Sequence, residues 1–286
     1  MVQQQSENWD LVIEPRSRIL QLNLKEVWRY KYLLTMFVKR DIVSMYKQTL
    51  LGPLWFFIQP ILTTITFVVI FGNIAKISTD GLPQILFYLA GITIWNYFSE
   101  TRTATSNTFI TNANIFGKVY FPRLVMPLSK VFSGLIKFGI QFSLFLIVLV
   151  YYLVKGSAVH PNLSGILLIT PIVVFIMAGL GLGIGLILSA LTTKYRDLIF
   201  LITFGIQLLM YATPVIYPMS TISEKYKWII AANPMSWLVE AFRNVYLGAG
   251  ELSWAGLSYS FGSMVFILFV GTVFFNRVEK TFMDTV

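Results

Sequence analysis

The feature that most constrains this chain is an uncharged stretch, residues 54–75, which contains no Asp, Glu, Lys or Arg. As an α-helix it would be about 33 Å long, enough to cross a hydrocarbon core of about 30 Å. A helix of that length in a soluble core normally shows a charged face. The stretch therefore predicts a membrane span. Its Gln59-Pro60 pair frees a backbone carbonyl, which predicts either a tolerated kink or a span that faces a hydrated path.

Composition extends this prediction to the whole chain. Of its 286 residues, 56% are hydrophobic and only 12% are charged, whereas soluble domains average about 25% charged residues. We therefore expect an all-α polytopic membrane protein. The net charge of +9 would suggest nucleic acid in a soluble protein. Here the positive charges lie mainly in candidate cytoplasmic loops, so membrane orientation explains them and no nucleic-acid partner is expected.

Hydrophobic runs predict six transmembrane helices in a domain that covers residues 51–286. The five spans after the first are residues 82–98, 131–154, 163–191, 198–215 and 255–275. Most Lys and Arg residues lie in the N-terminal segment, in the loops after the second and fourth spans, and at the C-terminus. This bias predicts that both termini are cytoplasmic. Alternate glycines at 179–185 predict close helix packing, either within the bundle or between subunits.

The segment before the first span divides into two parts. Residues 1–23 form a polar cytoplasmic tail without the apolar core of a cleavable signal peptide, and we expect loose structure or docking on a partner. Residues 24–50 are expected to hold an amphipathic helix over 24–43 and a connection. Its basic face contains Lys25, Arg29, Lys39 and Arg40, and its apolar face contains Val27, Tyr30, Leu34, Phe37 and Val38. Such a helix is expected to lie in the interface of the cytoplasmic leaflet.

Two connections carry more apolar residues than turns need. The cytoplasmic loop 99–127 contains a short helix candidate whose apolar side chains need a cover, either a partner protein or the membrane surface. The outer connection 217–253 holds two apolar segments, residues 227–232 and 234–247, which join at Asn233-Pro234. Both are too short to span, which predicts an outer re-entrant helical hairpin. Within it, Glu240 and Arg243 lie three residues apart and can pair, in either a functional or a structural role.

Enzymatic motifs are absent from the sequence. It contains no GxxxxGK[ST], HExxH or GxSxG motif, no cysteine, and a single histidine, His160. A proton-coupled carrier usually places carboxylates or histidines inside its helices. Only Glu100 and Lys137 approach that description, and both lie near predicted cytoplasmic ends. We therefore predict no catalytic or metal site and no cofactor on this chain. The sequence describes a membrane conduit without an energy source of its own, which favours a partner that supplies the energy.

Five motifs in order resemble the permease subunit of polysaccharide-exporting ABC transporters, the class that moves O-antigen, capsular polysaccharide and teichoic acid. They are LGPLWFFIQPILTTITFVVIFG, NANIFGKVYFPRLVMPLS, TTKYRDL, MYATPVIYP and NPMSWLVEAFRNVYLG. Each motif alone is weak, but the resemblance covers residues 24–280 and includes all six predicted spans. Residues 1–23 lie outside it.

The resemblance implies a non-enzymatic subunit of a bacterial inner-membrane translocase. It implies a homodimer that pairs with two copies of a nucleotide-binding subunit, where ATP and Mg²⁺ would bind. A lipid-linked polysaccharide, with O-antigen first, would pass through a channel at the dimer interface. Alternatives within the family are a capsular polysaccharide, a teichoic acid or a small molecule. A membrane glycosyltransferase or lipid-processing enzyme would need acidic or histidine chemistry at the interface, which the sequence lacks.

The resemblance also assigns roles to residues. The helix that couples to the ATPase would contain Asn114, Ile115, Phe116, Gly117, Lys118, Val119, Tyr120 and Phe121. The amphipathic helix would be a gate helix that includes Arg29, and the pyrophosphate of the substrate would meet Lys39, Arg40 and Lys47. The outer gate would include Asn233, Pro234, Glu240 and Arg243. Aromatic rings stack on sugars, so we expect Trp55, Phe56, Tyr88, Trp95, Tyr97 and Tyr211 to line the path, although interfacial belts and lipid contact also explain such residues.

Overall fold

The computed structural model describes residues 24–47, 50–116, 121–195 and 197–282. All regular structure within these ranges is helical, which confirms the all-α prediction. The helices are α1 (Leu24–Arg29), α2 (Lys31–Tyr46), α3 (Trp55–Phe67), α4 (Gln84–Ser106), α5 (Thr108–Phe116), α6 (Val125–Val154), α7 (Leu163–Lys194), α8 (Leu198–Tyr211), α9 (Glu224–Ala231), α10 (Pro234–Leu247) and α11 (Trp254–Phe282). A π-helical segment, Val68–Ile74, continues α3.

Among the described residues, four helical segments are long and apolar enough to cross a membrane, namely Gly52–Ile74, Val125–Val154, Leu163–Thr192 and Trp254–Val278. They correspond to the predicted first, third, fourth and sixth spans. The predicted fifth span forms α8, which has only 14 residues. The predicted second span forms α4, which has 23 residues and continues beyond 98 to Ser106. The chain is thus a multi-pass membrane protein, while the count of six spans stays a prediction.

Helix α4 differs from the apolar spans because protein surrounds it. It packs against α3, α6 and α7, and most of its side chains are buried, including Thr93, Thr101, Arg102 and Thr105. A helix inside a bundle contacts other helices rather than lipid, so its polar side chains do not prevent burial. This position explains why α4 is the least apolar of the long helices.

The glycines of α7 allow close contacts with two neighbouring helices. A Cβ added at Gly185 would lie 2.5 Å from the Cβ of Thr105 on α4. A Cβ added at Gly183 would lie 2.9 Å from the backbone nitrogen of Leu268 on α11. Both contacts are within one subunit, so the interpretation of these glycines as packing positions inside the bundle is confirmed.

The predicted amphipathic helix 24–43 is instead two helices that meet at Tyr30, where the backbone leaves helical geometry (φ −93°, ψ 22°). The apolar face expected to enter the leaflet packs largely on the bundle. Val27 and Phe37 are buried in a cluster with Phe121 and Met126. The exposed apolar stripe is a different one, Trp28, Tyr32 and Met36, at four-residue spacing. Packing against the bundle therefore decided which face is free for a membrane surface.

The connections also differ in length from the prediction. Residues 99–106 belong to α4 and residues 125–127 to α6, so the connection between them consists of α5 and the chain around it. The outer connection contains two short helices, α9 and α10, and the predicted segment 234–247 coincides with α10. Their position relative to the membrane stays a prediction.

Candidate functional site

Arg243 anchors the predicted outer hairpin, which contains α9 and α10, to the rest of the bundle. Its side chain is 1% exposed, although it is a guanidinium. Nη1 donates to the carbonyl of Pro214 at 2.5 Å and Nη2 donates to the carbonyl of Val215 at 2.6 Å. The guanidinium carbon lies 3.7 Å from the centre of the Phe87 ring on α4. One side chain thus joins α10, α4 and the chain that follows α8.

Glu240 is the acidic partner of this anchor. Its Oε1 lies 3.6 Å from Nη1 of Arg243, which confirms that the two residues pair. Glu240 is 1% exposed, and its Oε2 accepts a 3.4 Å hydrogen bond from the backbone amide of Glu251. Buried charges are tolerated where they are paired and hydrogen-bonded. The pair links both ends of the hairpin, while its role as an outer gate stays a prediction.

The ends of α10 are fixed by capping contacts. At its start, the side chain of Asn233 accepts from the amide of Met235, and Pro234 takes the first helical position, where no amide donor is needed. At its end, Gly248 adopts φ 77°, and an added Cβ would lie 3.0 Å from the carbonyl oxygen of His160. The His160 amide donates to the Leu247 carbonyl at 3.3 Å. The histidine therefore contributes its backbone here.

The predicted ATPase-coupling residues lie on and after α5. Asn114, Ile115 and Phe116 form the end of that helix, and Ile115 is half-buried. Gly117, Lys118, Val119 and Tyr120 lie outside the described residues. Phe121 is 4% exposed and packs on Phe37 with ring centroids 5.7 Å apart. Within the described part, Phe121 therefore joins this region to α2.

The basic residues of α1 and α2 separate into two environments. Arg29, Lys39 and Lys47 are exposed. Arg40 is half-buried, and its Nη2 lies 2.9 Å from Oδ1 of Asp41 and 3.4 Å from Oδ1 of Asn112 on α5. Oδ2 of Asp41 accepts from Nζ of Lys130 on α6 at 2.6 Å. We name Arg40, Asp41, Asn112 and Lys130 the polar network.

Sequence reasoning did not identify three members of the polar network, Asp41, Asn112 and Lys130. The available signal was weak. Asp41 directly follows the basic pair Lys39-Arg40, on a helix that otherwise divides into basic and apolar faces. Lys130 lies 89 positions away along the chain. Nothing in the local pattern connects the two side chains, so only the packing of α2 on α6 shows that they meet.

The predicted path-lining aromatics also fall into two groups. Tyr88, Trp95 and Tyr97 are buried inside the bundle, where Tyr88 packs on Phe67 and Tyr97 on Phe138. Trp55 and Tyr211 are about half exposed, at 50% and 48%, and Phe56 is partly exposed. A path along the outside of one subunit could contact Trp55, Phe56 and Tyr211 directly. The role of all six residues stays a prediction.

Two further cations lie inside the bundle. Lys137 on α6 forms an ion pair with Glu100 on α4, and its Nζ lies 5.7 Å from the centre of the Phe56 ring. Arg102 is 5% exposed, and its guanidinium carbon lies 5.4 Å from the Phe98 ring centre. Within the described part of the chain, Nε and Nη2 of Arg102 have no hydrogen-bond partner. Ionisable groups inside a membrane bundle are rare and are candidates for function.

A cavity of about 510 Å³ lies between α7 and α11. Its lining is almost entirely apolar and includes Pro171, Phe175, Trp254 and Phe261, with Ser258 as the only hydroxyl in its lining. A ligand with many hydroxyl groups would leave its hydrogen bonds unmade in such surroundings. The cavity therefore suits a hydrocarbon chain rather than a sugar.

Comparison with known proteins gives consistent similarities along most of the chain. Residues 32–247 match the model of a family described as ABC-2 type transporter. The chain is 30% identical over 253 residues to an O-antigen export system permease protein RfbA of Klebsiella pneumoniae. The matched residues cover 88% of this chain and 94% of the relative. A second protein of that name and organism is 30% identical over 267 residues, covering 92% and 99%. A protein of the same name from Myxococcus xanthus is 28% identical over 225 residues, covering 78% and 83%.

Proposed function

The chain belongs to the ABC-2 type transporter family, and from this membership we propose that it is the membrane subunit of an ATP-driven exporter of a lipid-linked polysaccharide. O-antigen is the leading candidate for the glycan. The observation that carries the proposal is the similarity to an O-antigen export permease at 30% identity over 92% of this chain. The exporter would lie in a bacterial inner membrane, with both termini of this subunit in the cytoplasm.

The energy source would be a separate ATPase. Membership of the family implies a membrane complex with such a subunit. Two copies of the ATPase, with ATP and Mg²⁺, would bind beneath two copies of this chain. The segment around α5 is the proposed contact, because it connects α4 to α6 on the predicted cytoplasmic side and ends in the apolar pair Ile115-Phe116. Apolar side chains at that position gain stability when a partner covers them.

Two exposed glutamines support a second copy of this chain. Gln59 on α3 and Gln207 on α8 are both exposed on helices with mostly apolar surfaces. An amide in contact with lipid tails has no hydrogen-bond partner there and costs free energy. No residue of α8, which is described throughout, is buried. We propose that both helices face the second subunit and the polar path between the two copies, where the amides can reach water or sugar hydroxyls.

The exposed cations of α2 would receive the substrate at the cytoplasmic side. Lys39 and Lys47 are exposed in the segment that precedes the first span, so both can form charge-assisted hydrogen bonds to a pyrophosphate. Arg40 already donates to Asp41 and Asn112, so it has fewer free donors. The proposal therefore places more of the phosphate contact on Lys39 and Lys47 than on Arg40.

Co-purification with a candidate ATPase subunit from the same organism tests the proposed function. We expect a stable complex whose ATP hydrolysis is lost or uncoupled by Phe116→Asp, because a carboxylate in an apolar contact is costly to desolvate. The matched control is Tyr226→Asp, which also replaces an aromatic residue by Asp but on α9 of the outer hairpin, where Tyr226 is 54% exposed. A chain that purifies without any ATPase, or a complex unaffected by Phe116→Asp, would contradict the proposal.

Cysteine cross-linking tests the second copy. The chain contains no cysteine, so Gln59→Cys and Gln207→Cys each provide the only reactive thiol. We expect a flexible bismaleimide to link two copies when Gln59→Cys and Gln207→Cys chains are mixed in membranes. The control is Phe266→Cys, which lies on α11 and is 68% exposed. Equal cross-linking at all three positions, or none at either glutamine position, would argue against a specific interface that contains α3 and α8.

A further inference from the structure

We propose that Asp41 is a positioning residue that joins α2 to α5 and α6, so that a displacement of α5 moves α2. The inference rests on the proposed function, in which an ATPase acts on α5. It adds a physical link between that contact and the helix at the membrane surface. The link consists of the polar network, in which one buried carboxylate binds two cations from different elements.

The geometry around Asp41 is that of a shared acceptor. Its side chain is only 7% exposed, and that of Lys130 is 17% exposed. Oδ1 accepts from Arg40 through both Nε (3.2 Å) and Nη2 (2.9 Å), while Oδ2 accepts from Lys130 at 2.6 Å. Charge-assisted hydrogen bonds of this length are the stronger kind in proteins. Each oxygen of the carboxylate therefore has its own cation, one on α2 and one on α6.

The network reaches α5 at the point where that helix bends. Asn112 has non-helical backbone angles (φ −119°, ψ 16°) inside α5. Its Oδ1 accepts from Nη2 of Arg40, and its Nδ2 donates to the carbonyl of Thr108 at 3.0 Å. The amide thus connects the first turn of α5 to the same guanidinium that binds Asp41. A shift or rotation of α5 about this bend would pull on Arg40 and, through Asp41, on Lys130.

Attachment of α2 to the bundle does not by itself explain the network. Val27 and Phe37 already pack with Phe121 and Met126, and apolar contact is enough to hold a helix in place. Burying a carboxylate costs free energy that its partners must offset, whereas apolar side chains of similar size would have no such cost. The network adds what apolar contact lacks, which is a directional connection with a defined geometry between three elements.

The exposed side of α2 determines what a movement of this helix would affect. Trp28, Tyr32 and Met36 form the exposed stripe on α1 and α2, and Met36 is 66% exposed. Aromatic and thioether side chains on such a face suit the interfacial region of a bilayer. A movement of α2 would therefore change how this stripe lies against lipid at the cytoplasmic opening of the proposed path.

A fluorescent label on α2 tests the inference in the complete complex. Met36→Cys provides the only thiol in the chain for a dye that responds to its surroundings, and the labelled chain is reconstituted with its ATPase in liposomes. We expect ATP to change the dye emission when Asp41 is present. In Asp41→Asn the ATPase should still co-purify, while most of the ATP-dependent change in emission should be lost.

Retention of the carboxylate separates coupling from stability. The conservative variant Asp41→Glu keeps an acceptor for both Arg40 and Lys130 and should retain most of the dye response. The matched control is Glu224→Gln, which breaks the exposed Glu224–Lys227 pair of the outer hairpin and should leave the response unchanged. If Asp41→Asn does not assemble, Asn112→Leu removes the link to α5 while keeping the contacts of Asp41 with Arg40 and Lys130, and the same loss of response is expected.

The outcomes distinguish the inference from the proposed function. An unsubstituted chain that binds no ATPase would overturn the proposed function, and the inference with it. A normal complex with an ATP response in the unsubstituted chain, and an equal response in Asp41→Asn and Asn112→Leu, would overturn the inference alone. A purely structural role would lower the thermal stability of the variants without reducing the response of the complex that remains folded.

Discussion

Replacing Arg243 with methionine is expected to lower the free energy of unfolding by about 3–5 kcal/mol, the range found when one partner of a buried ion pair is removed. Methionine fills similar space but cannot donate. Glu240, at 1% exposure, would keep a buried charge without its cation. The carbonyls of Pro214 and Val215 would lose their donor at the same time. The loss should appear as a lower midpoint of SDS-induced unfolding in mixed micelles, followed by tryptophan fluorescence.

Two further variants test whether burial of the ion pair causes this loss of stability. Lys227→Met removes a cation from an exposed pair on α9 and should cost no more than about 1 kcal/mol, as exposed pairs do. The double variant Glu240→Leu with Arg243→Met should recover part of the loss, because it removes the uncompensated carboxylate. A change of less than about 1 kcal/mol for Arg243→Met, within the range of exposed pairs, would show that Arg243 does not anchor the hairpin.

Replacing Gly271 with alanine is expected to destabilise the protein by about 1–3 kcal/mol, the usual cost of overpacking. A Cβ at this position on α11 would lie 2.5 Å from the carbonyl oxygen of Gly183 on α7. The obstacle is backbone, which cannot rotate away as a side chain can. The two helices would have to separate, and their other contacts would weaken. Unfolding in mixed micelles measures this loss, and fewer folded copies in the membrane should accompany it.

Gly262 provides the matched control on the same helix. A Cβ at Gly262 would meet no atom within 4 Å. Alanine is favoured over glycine in a helix interior by up to about 1 kcal/mol, so Gly262→Ala should be neutral or stabilising. The same substitution on α11 should therefore lower the free energy of unfolding at position 271 but not at position 262. If Gly271→Ala were as well tolerated as Gly262→Ala, the close approach of α7 and α11 would not exist in the membrane.

Hydrophobic runs in the sequence were sufficient for the main helices. In lipid, a long uncharged stretch satisfies its own backbone hydrogen bonds by forming a helix. The four apolar spans could therefore be located from the hydropathy along the sequence. The two short helices of the outer hairpin were also predicted, since Asn233-Pro234 is a strong local start signal for α10. Helix ends were less accurate. Helix α4 continues to Ser106 because neighbouring helices cover polar residues that a hydropathy pattern assigns to a loop.

The site was only partly accessible from the sequence. Glu240 and Arg243 are three residues apart on one helix, and such a pair is a local property. The carbonyl groups that accept from Arg243 lie 28 and 29 positions away along the chain. Lys130, which donates to Asp41, lies 89 positions away. Contacts of this kind leave no periodic trace. The apolar face of α1 and α2 was expected to enter the leaflet, but Val27 and Phe37 pack on the bundle instead. The local pattern could not show this because both faces contain apolar residues.

What the sequence by itself determined is the class of protein and the position of its apolar spans, because lipid allows only backbone that satisfies its own hydrogen bonds. The motifs in their order also determined the family to which it belongs. The tertiary structure alone decided which polar groups are buried together. It placed Asp41 between cations of α2 and α6 and placed Arg243 against Phe87. The physical reason is that electrostatic contacts depend on distances in space, which helix packing sets and residue order does not.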